Sequence, residues 1–366
     1  MNSLTRSAFI RTPKQSLNHS STTLQPLIPF IPTRTMASAM SKRLEGKTVV
    51  ITGASSGIGK ATAIEFARTS PKNLKLVLTA RRKEKLEEVA EEIKKEVGDG
   101  VKIHPVKLDI GNADEIRGFV GNLPKELQEI NVLVNNAGMV KGVDKAGDIK
   151  EEDMNVMFAT NVTGLINMTQ AVLAVMKKRG ESGQGDIINI GSIAGREPYP
   201  GGAIYCATKA AVRSFTDAMR KELIASRIRV IEIDPGQVET EFSLVRFGGD
   251  KDKADAVYKG VTALTGEDIA ETVVFAAGRP ENVVLADLLV FPNHQVSLPM
   301  FYWGERGVLM LWWERLRRLL CIDGHRRFLT GVRRLGLQRC TGGARRRSCR
   351  YRTEGQVDSS RRRHGR

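Results

Sequence analysis

An unbroken apolar run, Thr48–Thr52, passes directly into Gly53-Ala54-Ser55-Ser56-Gly57-Ile58-Gly59, and a helical pattern opens near Ile58. A strand that is apolar on every residue has no face to give to water, so it must lie inside a sheet covered on both sides. The same alternation then repeats. Short apolar runs at 48–52, 75–80, 101–108, 131–135, 186–190, 229–234 and 283–291 read as strands. Between them, periodic stretches at 83–97, 114–123, 151–178, 207–225 and 266–277 are long enough for helices. Strand–helix alternation of this kind predicts an α/β fold with a parallel sheet sandwiched by helices.

The glycine turn is the first piece of chemistry. Gly53, Gly57 and Gly59 permit a tight turn and a close approach of the backbone amides of Ser55, Ser56 and Ile58 to a pyrophosphate, which then sits at a helix N-terminus. The spacing is G-x-x-x-G-x-G. A glycine turn alone can be a plain loop; between a strand and a helix it points to a dinucleotide. The second strand ends Thr79-Ala80-Arg81-Arg82, without the acid that would hold ribose hydroxyls. Guanidiniums there suit a 2′-phosphate instead, so the predicted cofactor is NADP, with Arg81 the preferred contact and Arg82 beside it. Asp109 closes the third strand, where its carboxylate is placed to accept from an adenine amine; it serves equally well as a helix N-cap. Asn135-Asn136-Ala137-Gly138 follows the fourth strand and lets the backbone pass close to a ligand. Asn161 falls inside a helical stretch, a poor place for asparagine.

Ser192 ends the fifth strand, and Tyr205 and Lys209 follow in what reads as the opening of a helix. A spacing of four residues puts phenol and ammonium on one helical face. A nearby positive charge favours the ionised phenol, which would make a proton carrier at neutral pH.

Taken together, T-G-x-x-x-G-I-G, N-N-A-G, the mid-helix asparagine, Ser192 and Y-x-x-x-K resemble the short-chain dehydrogenase/reductase family, in the family's order, over about residues 46–292. The resemblance implies a single doubly wound Rossmann domain with a seven-stranded parallel sheet in the order 3-2-1-4-5-6-7, assembled as a homotetramer or homodimer. It implies Tyr205 as general acid/base, Lys209 holding the nicotinamide ribose and depressing the tyrosine pKa, Ser192 orienting the substrate oxygen, and Asn161 supporting a relay water. It further implies cofactor contacts at Asn135, Ala137, Pro235, Gly236, Val238 and Thr240. The stretches around Gly191–Tyr205, Val238–Phe247 and Leu289–Pro292 are similar to the NADP-dependent 3-hydroxy acid dehydrogenases within that family. Serine, L-allo-threonine and 3-hydroxyisobutyrate are the implied substrates. A carboxylate on the substrate calls for a bidentate arginine; Arg246 is the preferred candidate and Arg196 the second. Another carbonyl substrate, a 3-oxoacyl group or a ketone, and a non-catalytic NADP-sensing protein are the competing readings.

Composition narrows the partners. The chain of 366 residues carries a formal charge of +16, but residues 1–44 hold six basic groups and no acid, and 296–366 hold eighteen arginines against five acids. The intervening residues are therefore slightly acidic, which argues against specific nucleic-acid binding by the core. No run of eighteen apolar residues suggests a membrane span. Of four cysteines only Cys206 is in the core, and Cys321, Cys340 and Cys349 show no C-x-x-C spacing, so neither a disulfide framework nor a metal site is expected. Residues 1–45 have the basic, hydroxyl-rich composition of a transit peptide, and equally of a disordered tail or an over-extended start ahead of Met36 or Met40. The expected location is accordingly cytoplasmic, or mitochondrial if that segment directs import. Residues 293–366 read as an arginine-rich disordered extension, with a membrane-surface helix at 308–320 as the alternative.

Overall fold

Along Thr48–Thr52 (β1), Val49 and Ile51 face one apolar cluster and Val50 the other, all without solvent exposure. This two-sided burial sets the architecture seen in the computed structural model, which describes residues 35–296, 300–301 and 310–311. Around β1 stand Leu74–Ala80 (β2), Val101–Lys107 (β3), Val132–Asn135 (β4), Gln184–Ile190 (β5), Arg227–Pro235 (β6) and Asp287–Val290 (β7). All are parallel, in the order β3-β2-β1-β4-β5-β6-β7, the doubly wound arrangement. The order reverses between β1 and β4, so a crevice opens beyond their carboxyl ends, where such sheets bind ligands.

Helices cover both faces. On one side lie Met36–Leu44 (α1), Gly57–Thr69 (α2), Lys83–Val97 (α3) and Gly266–Ala277 (α10), packed through Leu44, Phe66, Leu86, Ile93, Ile269 and Val273. On the other lie Ala113–Asn122 (α4), Leu165–Met176 (α6) and Ala203–Glu222 (α7), packed through Ile116, Phe119, Met168, Val172 and Met219, and Glu151–Phe158 (α5), which buries Met157 in a smaller cluster. Two short helices, Phe242–Arg246 (α8) and Lys251–Tyr258 (α9), follow β6. In α3 the buried positions Leu86, Val89, Ala90 and Ile93 keep the helical period, and Gly98 at φ +76° ends the helix. A reciprocal cap between Thr265 and Asp268 starts α10.

At the amino ends of β5 and β6, Arg229 pairs with Asp186 through bonds of 2.6 and 2.7 Å. Its guanidinium also donates to carbonyls at the end of α10, including Ala277 O at 2.9 Å, and to Val283 O at 2.9 Å. Both ions are buried, and every hydrogen-bonding direction of the guanidinium leads to a partner that stitches sheet to helix.

The structure departs from the sequence reading in several places. Within the segment expected to be disordered, residues 36–44 form α1, capped by Thr35, with Met40 and Leu44 in the core. The last strand is shorter than 283–291, because only Asp287–Val290 finds register against β6. Met310–Leu311 pairs antiparallel with Met300–Phe301, so these residues are strand and not part of a surface helix. The rest of that expected helix, residues 1–34, Cys321, Cys340 and Cys349 lie outside the described residues. The continuous helical segment Glu151–Met176 is long and apolar enough to cross a bilayer by length and composition alone. Here Met168, Val172 and Met176 pack with Leu133 and Ile187 of the sheet, which accounts for its apolar character.

Candidate active site

A cavity of about 430 Å³ opens where the sheet order reverses, lined by the glycine turn, the ends of β2 to β6, and α7 and α8. Its size lies within the range of small-molecule sites. Gly53 and Gly57 take positive φ, +67° and +53°. A Cβ on Gly59 would collide with Gly53 O and Asn136 Nδ2. The turn is therefore a backbone cradle at the N-terminus of α2 that a side chain would fill, which fits a pyrophosphate. Thr52 fixes the cradle against the β4 loop, its hydroxyl accepting from Asn136 N and Ala137 N, each at 3.0 Å. Asn136 Nδ2 returns a bond to Thr52 O at 2.9 Å.

Ser55, Ser56, Ile58, Arg81, Arg82, Asp109, Ala137, Pro235, Gly236, Val238 and Thr240 all line this cavity. Of the two arginines, Arg82 is the one folded over the turn: Nη2 lies 3.3 Å from Ser55 Oγ, 3.5 Å from Ser56 Oγ and 3.4 Å from Glu241 Oε2. Asp109 is not an N-cap. Its Oδ1 accepts from Gly111 N at 2.9 Å, while Asn112 caps α4. Gly236 packs against Phe291 and the buried Gln295, whose Oε1 accepts from Gln237 N at 2.8 Å. That contact ties the segment after β7 to the cavity wall.

Asn135 does not belong to the site. Its side chain points into a buried network behind it, donating to Thr169 Oγ1 at 2.8 Å and Asn189 Oδ1 at 2.9 Å. The next residue, Asn136, is the one in the cavity, because a strand turns alternate side chains to opposite faces. Asn161 sits in a π turn, Ala159–Gly164, that interrupts the helix between α5 and α6. Such insertions re-aim helical side chains and recur at functional sites. Its Nδ2 donates to Met139 O at 2.8 Å and Thr208 Oγ1 at 3.1 Å, and its Oδ1 accepts from Met139 N at 2.8 Å. The amide thus holds the β4 loop against α7, with one donor, Met139 N, on its Oδ1.

Ser192, Tyr205 and Lys209 converge on the cavity. Ser192 Oγ accepts from Ala194 N at 3.1 Å and faces the same cavity as the Tyr205 phenol. Lys209 is buried; its Nζ donates to Ile190 O at 2.8 Å and lies 5.9 Å from the centroid of the Tyr205 ring. Burial first lowers Lys209, to about 8, with Asp234 and Glu232 acting in the opposite direction. Burial raises Tyr205 above its ordinary value, helped by the neighbouring Tyr199 phenol, while the Ser192 hydroxyl and the Arg246 charge pull it down. Burial is therefore the largest influence on the phenol in this structure. Phe242 packs edge-on to the Tyr205 ring at 5.6 Å between centroids, and Met139, Val140 and Met157 complete the apolar wall.

The two arginines proposed for substrate part company. Neither arginine is among the residues that line the cavity, and Arg196 is bound to Asp234, Nε to Oδ2 at 2.7 Å, and to Asp287. It is a structural cation, not a substrate ligand. Arg246 ends α8 beside the site, donating to Tyr199 Oη at 3.2 Å and Gly201 O at 3.1 Å, with its guanidinium 5.4 Å from the Tyr199 ring centroid. Sequence reasoning missed Thr52, Asn136, Met139, Glu241 and Phe242. Asn136 was visible as the second residue of N-N-A-G; Met139 and Phe242 carry no signal beyond being apolar.

Residues 47–246 match the short chain dehydrogenase family. An NADP-dependent 3-hydroxy acid dehydrogenase of Schizosaccharomyces pombe is 53% identical over 253 residues, covering 69% of this chain and 95% of the relative. A serine 3-dehydrogenase of Agrobacterium fabrum is 38% identical over 248 residues, 68% of this chain and 94% of the relative. Among solved structures, the closed form of a serine dehydrogenase complexed with NADP+ matches with a TM-score of 0.63 and 40% identity, over 70% of this chain and 99% of that one. The fold and the site define a dinucleotide-dependent oxidoreductase acting on a hydroxyl group, with NADP as cofactor. The chain belongs to the short-chain dehydrogenase/reductase family.

Proposed function

We propose that this chain oxidises small 3-hydroxy acids, of the class of serine, L-allo-threonine and 3-hydroxyisobutyrate, and reduces the corresponding semialdehydes. The observation that carries the substrate class is Arg246, a guanidinium anchored by Tyr199 and Gly201 within electrostatic reach of Tyr205. A cation held there has the chemistry to take a carboxylate lying a few atoms from the reacting hydroxyl. The names of the relatives in S. pombe and A. fabrum support the same class.

NADP, when bound, supplies the two-electron carrier. Residues of the glycine turn, with Arg81 and Arg82 for the 2′-phosphate, have the chemistry to hold it. Tyr205 is proposed to move the proton at the substrate oxygen, donating from the phenol in reduction and accepting on the tyrosinate in oxidation. General acid/base catalysis of this kind contributes roughly 10²–10⁴-fold. Ser192 orients that oxygen, and Lys209 sits where a charged amine can hold a ribose. Asn161 serves by fixing the β4 loop to α7. Met139, Val140, Met157 and Phe242 exclude water from one side of Tyr205.

The test compares NADP reduction with the three hydroxy acids and with a neutral secondary alcohol, in wild type and in Arg246→Met. The expected result is a rise in KM of roughly 10- to 100-fold for the acids, the size of one lost charge-assisted contact, with little change for the alcohol. An equal change for both classes of substrate would refute the role of Arg246 and leave the carbonyl-reductase reading in its place.

A further inference from the structure

Two carboxyls that the reaction does not use lie beneath the reacting groups. Glu232 and Asp234 are two residues apart on β6 and therefore share a face of the sheet. Both are buried, with 2% and 0% exposure. They converge under the end of β5, where a Cβ on Gly191 would collide with Asp234 Oδ1. Asp234 Oδ1 accepts from Ser192 N at 2.8 Å and Oδ2 from Arg196 Nε at 2.7 Å. One residue before Gly191, Ile190 O receives the Lys209 ammonium. Ser192 and Lys209 are thus attached to the same few atoms at the end of β5, and the acid pair lies directly behind them.

We propose that Asp234, with Glu232 beside it, is a positioning and charge-setting pair for the site: Asp234 fixes Ser192 through its amide, and the pair's negative charge keeps the buried Lys209 an ammonium without touching it. The proposal rests on Ser192, Tyr205 and Lys209 being the reacting groups, and not on which hydroxy acid is turned over. Two buried carboxyls this close cannot both ionise readily, so they hold one proton between them. Burial, and then the charge of Asp234, push Glu232 up to about 8. Asp234 is also raised by burial, but Arg196 and the Ser192 amide pull it back, which makes it the member that carries the charge at neutral pH. The remaining charged groups that face the pair are Arg213 on α7 and Asp287 on β7, joined to each other at 3.5 Å. Tyr205 and the pair itself are the titratable groups facing Lys209.

The sign follows directly. Burial drives Lys209 down to about 8, and Asp234 and Glu232 oppose it. Taking away their charge leaves burial less opposed, so Lys209 loses its proton at a lower pH. The full-length protein labelled with 13C-lysine gives the reading, with the Lys209 Cε resonance assigned by its loss in Lys209→Arg and followed from neutral to alkaline pH. In Asp234→Asn combined with Glu232→Gln, which removes the charge whichever carboxyl carries it while an amide oxygen still accepts from Ser192 N, the midpoint should fall by about one pH unit or more. Glu232→Gln alone should lower it in the same direction by a smaller amount, and the alkaline limb of turnover should move with it. Midpoints at the wild-type position in both variants overturn the proposal. If the double variant does not fold, Glu232→Gln decides alone. Because the resonance needs no turnover, a shifted midpoint in a chain inactive on every hydroxy acid would refute the substrate class and leave this pair intact.

Discussion

Replacing Gly59 by alanine adds one methyl group at the most crowded point of the cofactor cradle. The new Cβ would lie 2.9 Å from the carbonyl carbon of Gly53, and nearer still to its oxygen and to Asn136 Nδ2. Neither neighbour is a flexible side-chain tip. The oxygen is backbone, and Asn136 Nδ2 is held by Thr52 O at 2.9 Å and Gly53 O at 3.2 Å. To reach ordinary van der Waals separation the turn and α2 must part by about 1 Å, breaking the Asn136 bridge. Overpacking of this kind costs about 1–3 kcal/mol, and alanine's better helix propensity returns up to about 1 kcal/mol. A net loss of about 1–2 kcal/mol lowers the Tm by roughly 2–8 °C for a domain of this size. The effect on the cofactor is larger than the effect on the fold, because the displaced amides are the ones aimed at the pyrophosphate; a misplacement of about 1 Å costs on the order of 100-fold in well-oriented sites. NADPH fluorescence titration should show Kd raised by roughly 10- to 100-fold. In thermal melts, ligand at 100 times the wild-type Kd stabilises wild type by about 2.7 kcal/mol, and the variant should keep only about 0.4–1.4 kcal/mol of that gain. A Kd within twofold of wild type, whatever the Tm, would refute the cradle and reduce Gly59 to a packing residue.

Two other changes probe independent parts of the molecule. Tyr205→Phe should leave NADPH affinity close to wild type and lower kcat by roughly 10²–10⁴-fold; activity near wild type would end its assignment as the proton carrier. Arg229→Ala removes the buried partner of Asp186, leaving Lys47 at 3.7 Å, and strands several helix-end carbonyls, so it should cost up to about 3–5 kcal/mol by chemical denaturation. Asp186→Asn combined with it should be less than additive, since the two ions share one network, and an additive double mutant would show them to be independent.

Much of the fold was legible because it depends on local pattern. The helices at 83–97 and 266–277 and the strand at 48–52 appear with the bounds their periodicity marked, each closed by its own cap or turn. The Tyr205 helix begins four residues earlier than read, at Ala203, because Gly201 and Gly202 look like loop until the chain is seen to turn there. The glycine turn, Ser192, Tyr205 and Lys209 were legible because their chemistry is tied to fixed spacings. The fate of Arg196 was not: its partners Asp234 and Asp287 are 38 and 91 residues away, and only the pairing of β5, β6 and β7 brings them to it. Asn135 and Asn136 failed for a smaller reason. A strand's pleat decides which of two identical neighbours meets the ligand, and composition does not record the pleat.

The helix that precedes β1 has a practical corollary for how this chain can be cut and expressed. Met40 and Leu44 fill the core beside α10, Arg43 Nη1 donates to Gly278 O at 2.9 Å, and Thr35 Oγ1 caps the first turn by accepting from Ser38 N at 3.2 Å. Cleavage or initiation after Thr35 therefore removes structural material: a start at Met40 strips the cap and first turn and brings a charged amine to the edge of an apolar cluster. A recombinant chain trimmed to Lys47, where the family match begins, would expose the underside of α10 as a new sticky surface.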